Sequence, residues 1–567
     1  MRYALNPQQK TLFDSAETMF SPMTIKFLRG DWPGLFRTQM LHLMPAHELG
    51  EHFDPRLGCP TKELYAMAGA IFLKEFFDLT IEEAVQRYLT DAAWQYALNV
   101  NPMTASLSHA TVERYLKLFA DDDLATEVFH RVTSALIDAL ELDVSRQRLD
   151  STHIFSDMAI FGRTKLMGVT IKRFLTQLKR HERALYEELP GELRSRYARS
   201  ESKLFGDFTG TRGVLRQGVA EDLLFLVSRF CETESVTTRT SYQAMARVLE
   251  EQCDVEEEQV TLKKKPGGKV MQNPSDADAA YDGHKGPGYQ AQIAETCSEK
   301  NEVQLITGAK TEPADRSDQE GLDPMLEELE SHERLPEVLY ADSGYGRDEN
   351  VTKAAERGVD VQSPVCGGSK SKPHDLSVDD FVIDESTETV ECCPRGCRPE
   401  SSEHDGERGV TRTVMSGSDC SGCEFRRECP VRKVRGQFVL EHTAKDRRLA
   451  ARRSEQATDA FREHYAIRSG GESVNSGLKR RMGLAGLRVR GSPRVRLAVM
   501  LRCAGWNLLR ALSAYKKRGI RDFMGSSAAL LSQISNSGPG ECPAAILSAL
   551  WIKITPPFPP LPLPSAA

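Results

Sequence analysis

Asp150, Asp342 and Glu472 are the acids of this sequence whose surroundings suit metal-assisted chemistry. Asp342 follows the apolar run Val338-Leu-Tyr-Ala341 and precedes the turn Ser343-Gly-Tyr-Gly346. Its carboxylate is therefore expected at the C-terminal end of a buried strand, where α/β sheets gather their ligands. Asp150 takes the equivalent place in Arg146-Gln-Arg-Leu-Asp-Ser-Thr-His-Ile154, and parallel pairing of the two strands would set the carboxylates side by side. Glu472 follows Tyr465 and Arg468 and precedes Lys479, with offsets from Tyr465 of three, seven and fourteen. At about 100° per residue, a continuous helix puts all four within about 60° on one face. Hard divalent ions take oxygen ligands, and two of them about 3.5–4 Å apart hold both the attacking and the leaving oxygen of an in-line phosphoryl transfer. Arg468 and Lys479 suit phosphates, and Tyr465 suits a backbone hydrogen bond or a stacked base. The plainer readings are turn or cap roles for the aspartates and an exposed, salt-bridged Glu472. Gly470-Gly471 weakens the helix by roughly 1 kcal/mol per glycine, so tertiary packing must hold that turn.

The elements that would position these acids can be followed along the chain. Residues 1–140 read as helical, with apolar residues at helical spacing through Leu64, Ala68, Ile71, Phe72 and Phe76, a capping box Thr80/Glu83, and a further helix from Ser108. Such helices suit a helix-turn-helix-like unit or any small bundle. A sheet begins at Arg146. Residues 161–265 read as a helical insertion, closed by Pro266-Gly-Gly268. Gly288–Thr296 and Glu302–Thr307 alternate as a hairpin. Asp323 with Pro324 is expected to cap a short helix, and the Asp342 strand follows. Residues 367–436 read as an irregular Cys-rich insertion, and the chain becomes helical again from Ala444. Residues 523–567, which hold Pro-Pro-Phe-Pro-Pro-Leu-Pro-Leu-Pro, are expected to be disordered.

The net charge of -7 hides a segregation of sign. From Ser473 to Arg521 there is no Asp or Glu, while Lys479, Arg480, Arg481, Arg488 and Arg490 open a run of basic residues. That run is either an electrostatic footprint for phosphate or a solvated basic face. The thirteen cysteines and the absence of a long apolar run argue for reduced thiols and an intracellular, membrane-free setting. Cys392, Cys393, Cys397, Cys420, Cys423 and Cys429 crowd together. They are read either as a structural zinc site, drawing on the last five, or as reduced loop thiols.

The segment Tyr465-Ala-Ile-Arg468-Ser-Gly-Gly-Glu472-Ser-Val-Asn-Ser-Gly-Leu-Lys479 resembles the Y-R-E-K element of DDE-type insertion-sequence transposases. Asp150-Ser-Thr-His-Ile and Tyr340-Ala-Asp342-Ser-Gly-Tyr resemble the same family's two aspartate motifs. His284-Lys-Gly-Pro-Gly-Tyr-Gln290, Arg488-Val-Arg-Gly491 and stretches between Leu64 and Leu98 are also similar, so the likeness runs from about residue 40 to about residue 515. Gly471 departs from it, standing where the family has a bulkier apolar residue.

The resemblance implies an α/β, ribonuclease-H-like catalytic core over residues 141–522 behind a DNA-binding helical domain over 1–140. It implies catalysis by Asp150, Asp342 and Glu472 with two Mg²⁺ ions, Mn²⁺ able to substitute. DNA would be held by Tyr465, Arg468, Lys479, Arg480, Arg481, Arg488 and Arg490. The expected partners are double-stranded DNA, as terminal inverted repeats and target, and a second copy of the chain on the DNA ends, in a prokaryotic nucleoid. The alternatives are a nuclease that cuts without joining and an inactive relic that only binds DNA.

Overall fold

The computed structural model describes residues 2–4, 18–257, 259–365, 375–384 and 386–520. The Pro-rich tail and the first residues of the Cys-rich stretch lie outside these.

The first part of the chain is helical. Its principal helices are α1 (Leu64–Phe76), α2 (Ile81–Thr90), α3 (His109–Asp121) and α4 (Leu124–Leu140). The capping box forms as read: the Thr80 side chain accepts from the Glu83 N–H, and Glu83 accepts from the Thr80 N–H. Strand β1 (Arg146–Ile154) starts the main sheet. Helices α5 (Arg163–His181), α6 (Arg212–Phe230) and α7 (Thr240–Gln252) follow with a hairpin, Cys253–Glu256 against Gln259–Leu262, around their own apolar core.

The main sheet then resumes with β2 (Ala280–Asp282), β3 (Gly286–Thr296), β4 (Ile306–Pro313), helix α8 (Asp318–Ser331), β5 (Val338–Ala341), α9 (Asp348–Glu356) and β6 (Asp360–Gln362). β3 lies antiparallel to β1, and β4 and the short β2 share the outer edge of β3. On the other side of β1, β5 and then β6 pair parallel. This mixed sheet is consistent with a ribonuclease-H-like DDE domain. Two sequence expectations shift here. The second strand of the hairpin starts at Ile306, not Glu302. The helix after it has Ser317 at its N-cap position and Pro324 inside it, held by the burial of Leu322, Met325 and Leu326 under the sheet.

The Cys-rich stretch is not irregular. It contains β7 (Val382–Asp384) paired with β8 (Thr389–Cys392), and a four-stranded sheet of β9 (Pro399–Asp405), β10 (Val410–Met415), β11 (Arg432–Val434) and β12 (Gln437–Thr443). Phe381, Val390, Met415, Val431, Phe438 and Leu440 give it a small apolar core. Helices α10 (Ala444–Gln456), α11 (Asp459–Tyr465), α12 (Gly470–Arg481) and α13 (Ser492–Lys517) complete the described chain.

The N-terminal helices do not have a core to themselves. Leu73, Phe129 and Leu136 belong to one apolar cluster with Ile293 and Ile306 of the sheet and with Val499 and Leu508 of α13. No described helix is long and apolar enough to cross a membrane.

Candidate active site

Parallel pairing of Leu149 with Ala341 sets the next residue of each strand, Asp150 and Asp342, side by side. Asp150 lies within β1 rather than at its end, at the point where that pairing stops. Asp342 caps its own turn by accepting the Gly344 N–H at 2.8 Å. A β-carbon on Gly344 would stand 2.9 Å from Asp342 Oδ1 and 3.2 Å from the β-carbon of Asp318. Glycine there lets these two acids approach.

The third acid arrives by a route that helical spacing did not foresee. Tyr465 ends α11, a 3₁₀ turn covers Ala466–Ser469, and Glu472 sits in the first turn of α12. The four residues therefore occupy three successive segments instead of one helix face. Arg148 accounts for the break. Its guanidinium pairs with the buried Glu295 and donates to the Ile467 carbonyl at 3.0 Å, and it lies where a Gly470 side chain would go, 1.8 Å from the position of a β-carbon. A Gly471 β-carbon would meet nothing closer than Asp150 at 3.6 Å. Gly470→Ala is therefore expected to destabilise the fold by about 1–3 kcal/mol through overpacking. Gly471→Ala should be neutral or stabilising by up to about 1 kcal/mol through helix propensity. Urea unfolding midpoints check both, and equal effects would break the argument.

Arg468 joins the three acids. Its guanidinium is 3.3 Å from Asp150, 3.9 Å from Asp342 and 3.4 Å from Glu472. Among the described residues, no three His, Cys, Asp or Glu side chains stand in a metal-holding group as they are placed; the place where these carboxylates converge is filled by Arg468. The Glu472 side chain is 71% exposed, so it can turn inward without disturbing packed neighbours. Burial raises the Asp150 carboxyl above its ordinary range, and the like charges of Asp342 and Asp318 add to this against the pull of Arg468.

The remaining predicted contacts separate into free and committed groups. Tyr465 donates to the Ala341 carbonyl at 2.9 Å and stacks on Phe461, bracing the Asp342 strand. Arg480 bonds to Ser476 one turn back, and Arg481 is exposed. Arg488 is 3.8 Å from both Asp78 and Glu83, and Arg490 pairs with Asp157. Further along the basic run, Arg496, Arg502, Lys516 and Arg518 pair with Asp123, Glu75, Asp31 and Glu302. Much of what looks like an open phosphate footprint in sequence is thus neutralised by acids distant in the chain.

Three residues of this site escaped sequence reasoning. Asn475 donates to Asp150 Oδ2 at 3.0 Å and to the Ser151 carbonyl at 3.4 Å; its signal was a Glu-x-x-Asn spacing, one helical turn. Asp318 and Arg148 carried no local signal.

The cysteines group without a metal geometry. Cys393, Cys397, Cys420, Cys423 and Cys429 line one cavity of about 30 Å³ together with Met415 and Val431. Burial pushes the Cys420 thiol up to about 11 and raises that of Cys429, with the charges of the neighbouring cysteines adding to it. The expectation of structural zinc finds no support, and the apolar core noted above already holds this unit.

Residues 392–512 match the family model described as transposase DDE domain, which supports a DDE-type transposase. The match takes in Glu472 and the helices on either side of it. No curated protein matches, and no solved structure matches.

Proposed function

We propose that this chain is a transposase of the Y-R-E-K kind that cuts DNA at the ends of an insertion sequence and joins them to target DNA. The observation that carries the reading is three carboxylates from three separate segments meeting around one guanidinium, with the family match covering the third. Asp150, Asp342 and Glu472 would hold divalent cations. The donor set is all carboxylate oxygen, which suits Mg²⁺ or Mn²⁺, and the Arg468 cation marks where positive charge is favoured. Bound there, two ions would lower the pKa of a water or 3′-hydroxyl nucleophile and neutralise the leaving oxygen.

The protein's own groups have distinct parts in this reading. Asn475 fixes the Asp150 rotamer through its amide. Tyr465 fixes the Asp342 strand through the Ala341 carbonyl. Arg468 moves from the acids to the DNA backbone when cations take its place, and Lys479 with Arg480 and Arg481 adds phosphate contacts. Residues 1–140 would supply further DNA contacts, the core over 141–522 the chemistry, and two copies would act on paired inverted repeats.

Purified full-length protein, incubated with linear DNA carrying the sequences that flank its own gene and with a target plasmid, tests this. Mg²⁺-dependent cleavage at the gene's borders, joined products in the plasmid and arrest by EDTA are expected. Cleavage without joining would favour a nuclease, and no border cleavage in either Mg²⁺ or Mn²⁺ would overturn the reading.

A further inference from the structure

Successive residues of a strand face opposite sides of the sheet. With Asp150 turned toward Asn475 of α12, Leu149 and Ser151 turn toward α8, and Leu149 shares an apolar cluster with Leu322 and Leu326 of that helix. Tyr345 belongs to the same cluster and is fully buried. It closes the turn that starts at Asp342, its N–H donating to the Asp342 carbonyl at 3.2 Å. Its phenol donates to Oε1 of Gln292, the buried residue of β3 that pairs with Ser151 across the ladder.

The direction of that bond is fixed by what lies behind it. The Gln292 amide nitrogen donates to Glu312 Oε1 at 2.8 Å and to Asp318 Oδ1 at 3.5 Å, which leaves the amide oxygen to face the phenol. Gln290, two residues back on the same face, donates to the same Glu312 oxygen at 2.7 Å and to the Arg316 carbonyl at 2.9 Å. Glycine clears the space. A β-carbon on Gly321 of α8 would stand 2.8 Å from the Gln292 amide nitrogen, and one on Gly344 would stand 3.2 Å from the β-carbon of Asp318. Burial, and then the charges of Asp318, Asp150 and Asp342, hold the phenol well above its ordinary value, so it stays a neutral donor. One buried chain of hydrogen bonds thus ties the Asp342 turn to β3, the end of β4 and the start of α8. An apolar pair at 292 and 345 would fill this volume without burying an amide, which is costly unless fully bonded. The polar chain adds a single allowed arrangement.

We propose that Tyr345 and Gln292 are positioning residues for the two aspartates: the phenol, directed by the Gln292 amide, sets the Asp342 turn against β1 and β3 and so keeps the two carboxylates at the separation cations need. The proposal rests on the reading of Asp150 and Asp342 as cation ligands. It adds a group that acts on them from the α8 side of the sheet, away from Asn475.

Mn²⁺ alone, titrated into the full-length protein without DNA and followed by the paramagnetic resonance signal of the free ion, tests this. The component of binding that Asp342→Asn removes reports the site. Tyr345→Phe keeps the ring and should raise the half-saturating Mn²⁺ concentration of that component about ten-fold. Gln292→Met, which keeps an unbranched side chain, should do the same. In the border-cleavage assay Tyr345→Phe should lower kcat in Mg²⁺ by a similar factor and leave KM for DNA unchanged. A role confined to the packing of α8 would lower the thermal midpoint and leave Mn²⁺ affinity where it was. Arg502→Met, whose buried pairing with Glu75 lies away from these acids, measures how far general loosening alone shifts Mn²⁺ binding. The proposal is overturned if Tyr345→Phe binds Mn²⁺ within about two-fold of the wild type, if Arg502→Met weakens binding as much, or if the wild type shows no component that Asp342→Asn removes. Border cleavage by the wild type with unchanged Mn²⁺ affinity in Tyr345→Phe would discard the positioning role and keep the transposase; weakened Mn²⁺ binding in Tyr345→Phe without border cleavage by the wild type would do the reverse.

Discussion

Asp150→Asn and Asp342→Asn should each lower Mg²⁺-dependent DNA cleavage at least about a thousand-fold, roughly 4 kcal/mol of transition-state stabilisation, while leaving DNA binding within a few-fold of wild type. The amide keeps the size and one acceptor oxygen, so Asn475 can still bond to position 150 and the Gly344 N–H can still cap at position 342. What is lost is the negative charge that would hold a cation. Asp150→Asn carries a second signature. Folding raises the Asp150 carboxyl, so at neutral pH its ionised form works against the fold, and the neutral amide removes that cost. The expected result is a catalytically dead protein whose unfolding midpoint is equal to or above that of the wild type. Cleavage within ten-fold of wild type by either variant would remove that acid from the site, and a lowered midpoint for Asp150→Asn would contradict the electrostatic account.

The largest expected effect on stability lies away from the chemistry. Arg502 of α13 is almost fully buried. It donates to Glu75 at 3.2 Å, to Asp78 at 2.8 Å and to the Met482 carbonyl at 2.6 Å, and Lys74 also pairs with Glu75 at 2.6 Å. Burial opposes the Glu75 carboxylate, but Lys74 and Arg502 together hold its carboxyl below the ordinary range. Arg502→Met would fill much of the volume while leaving the Met482 carbonyl without this donor and Glu75 with one cation only. Removing one partner of such a buried pair costs about 3–5 kcal/mol, and Lys74 places the expectation near the lower figure. A shift of the urea midpoint worth less than about 1 kcal/mol would show that the pair contributes nothing net.

Both outcomes bear on how much of this protein could be read from its sequence. The strands around Asp150 and Asp342 were legible because each carries a local pattern, a strand-like run followed by a turn. The Thr80 capping box and the Ala444 helix were legible for the same reason. The continuous helix from Tyr465 to Lys479 was not there, because the guanidinium of Arg148, distant in sequence, bonds to Ile467 and occupies the space beside Gly470. The basic run looked open because the acids that answer it, Glu75, Asp78 and Asp123 among them, sit in the N-terminal helices or the turns between them. The Cys-rich stretch looked unstructured because its Gly, Pro and Ser drew the eye from the alternation of Val410–Met415. Local rules registered the acids; the cations that set their surroundings act through long-range contacts.

Those long-range contacts also fix when the candidate site can first assemble. Asp150 meets Arg468 across 318 residues and Asn475 across 325. At about 5–20 residues per second on the ribosome, the first aspartate waits roughly a quarter of a minute to a minute for the segment carrying the third acid. During that interval β1 has its β3 partner well before β5 or α12 has been made. A nascent chain, or one interrupted before α12, thus holds most of its sheet and none of its assembled site. On the proposed function, any DNA it touches would be safe from cleavage until nearly all of the described chain has been made.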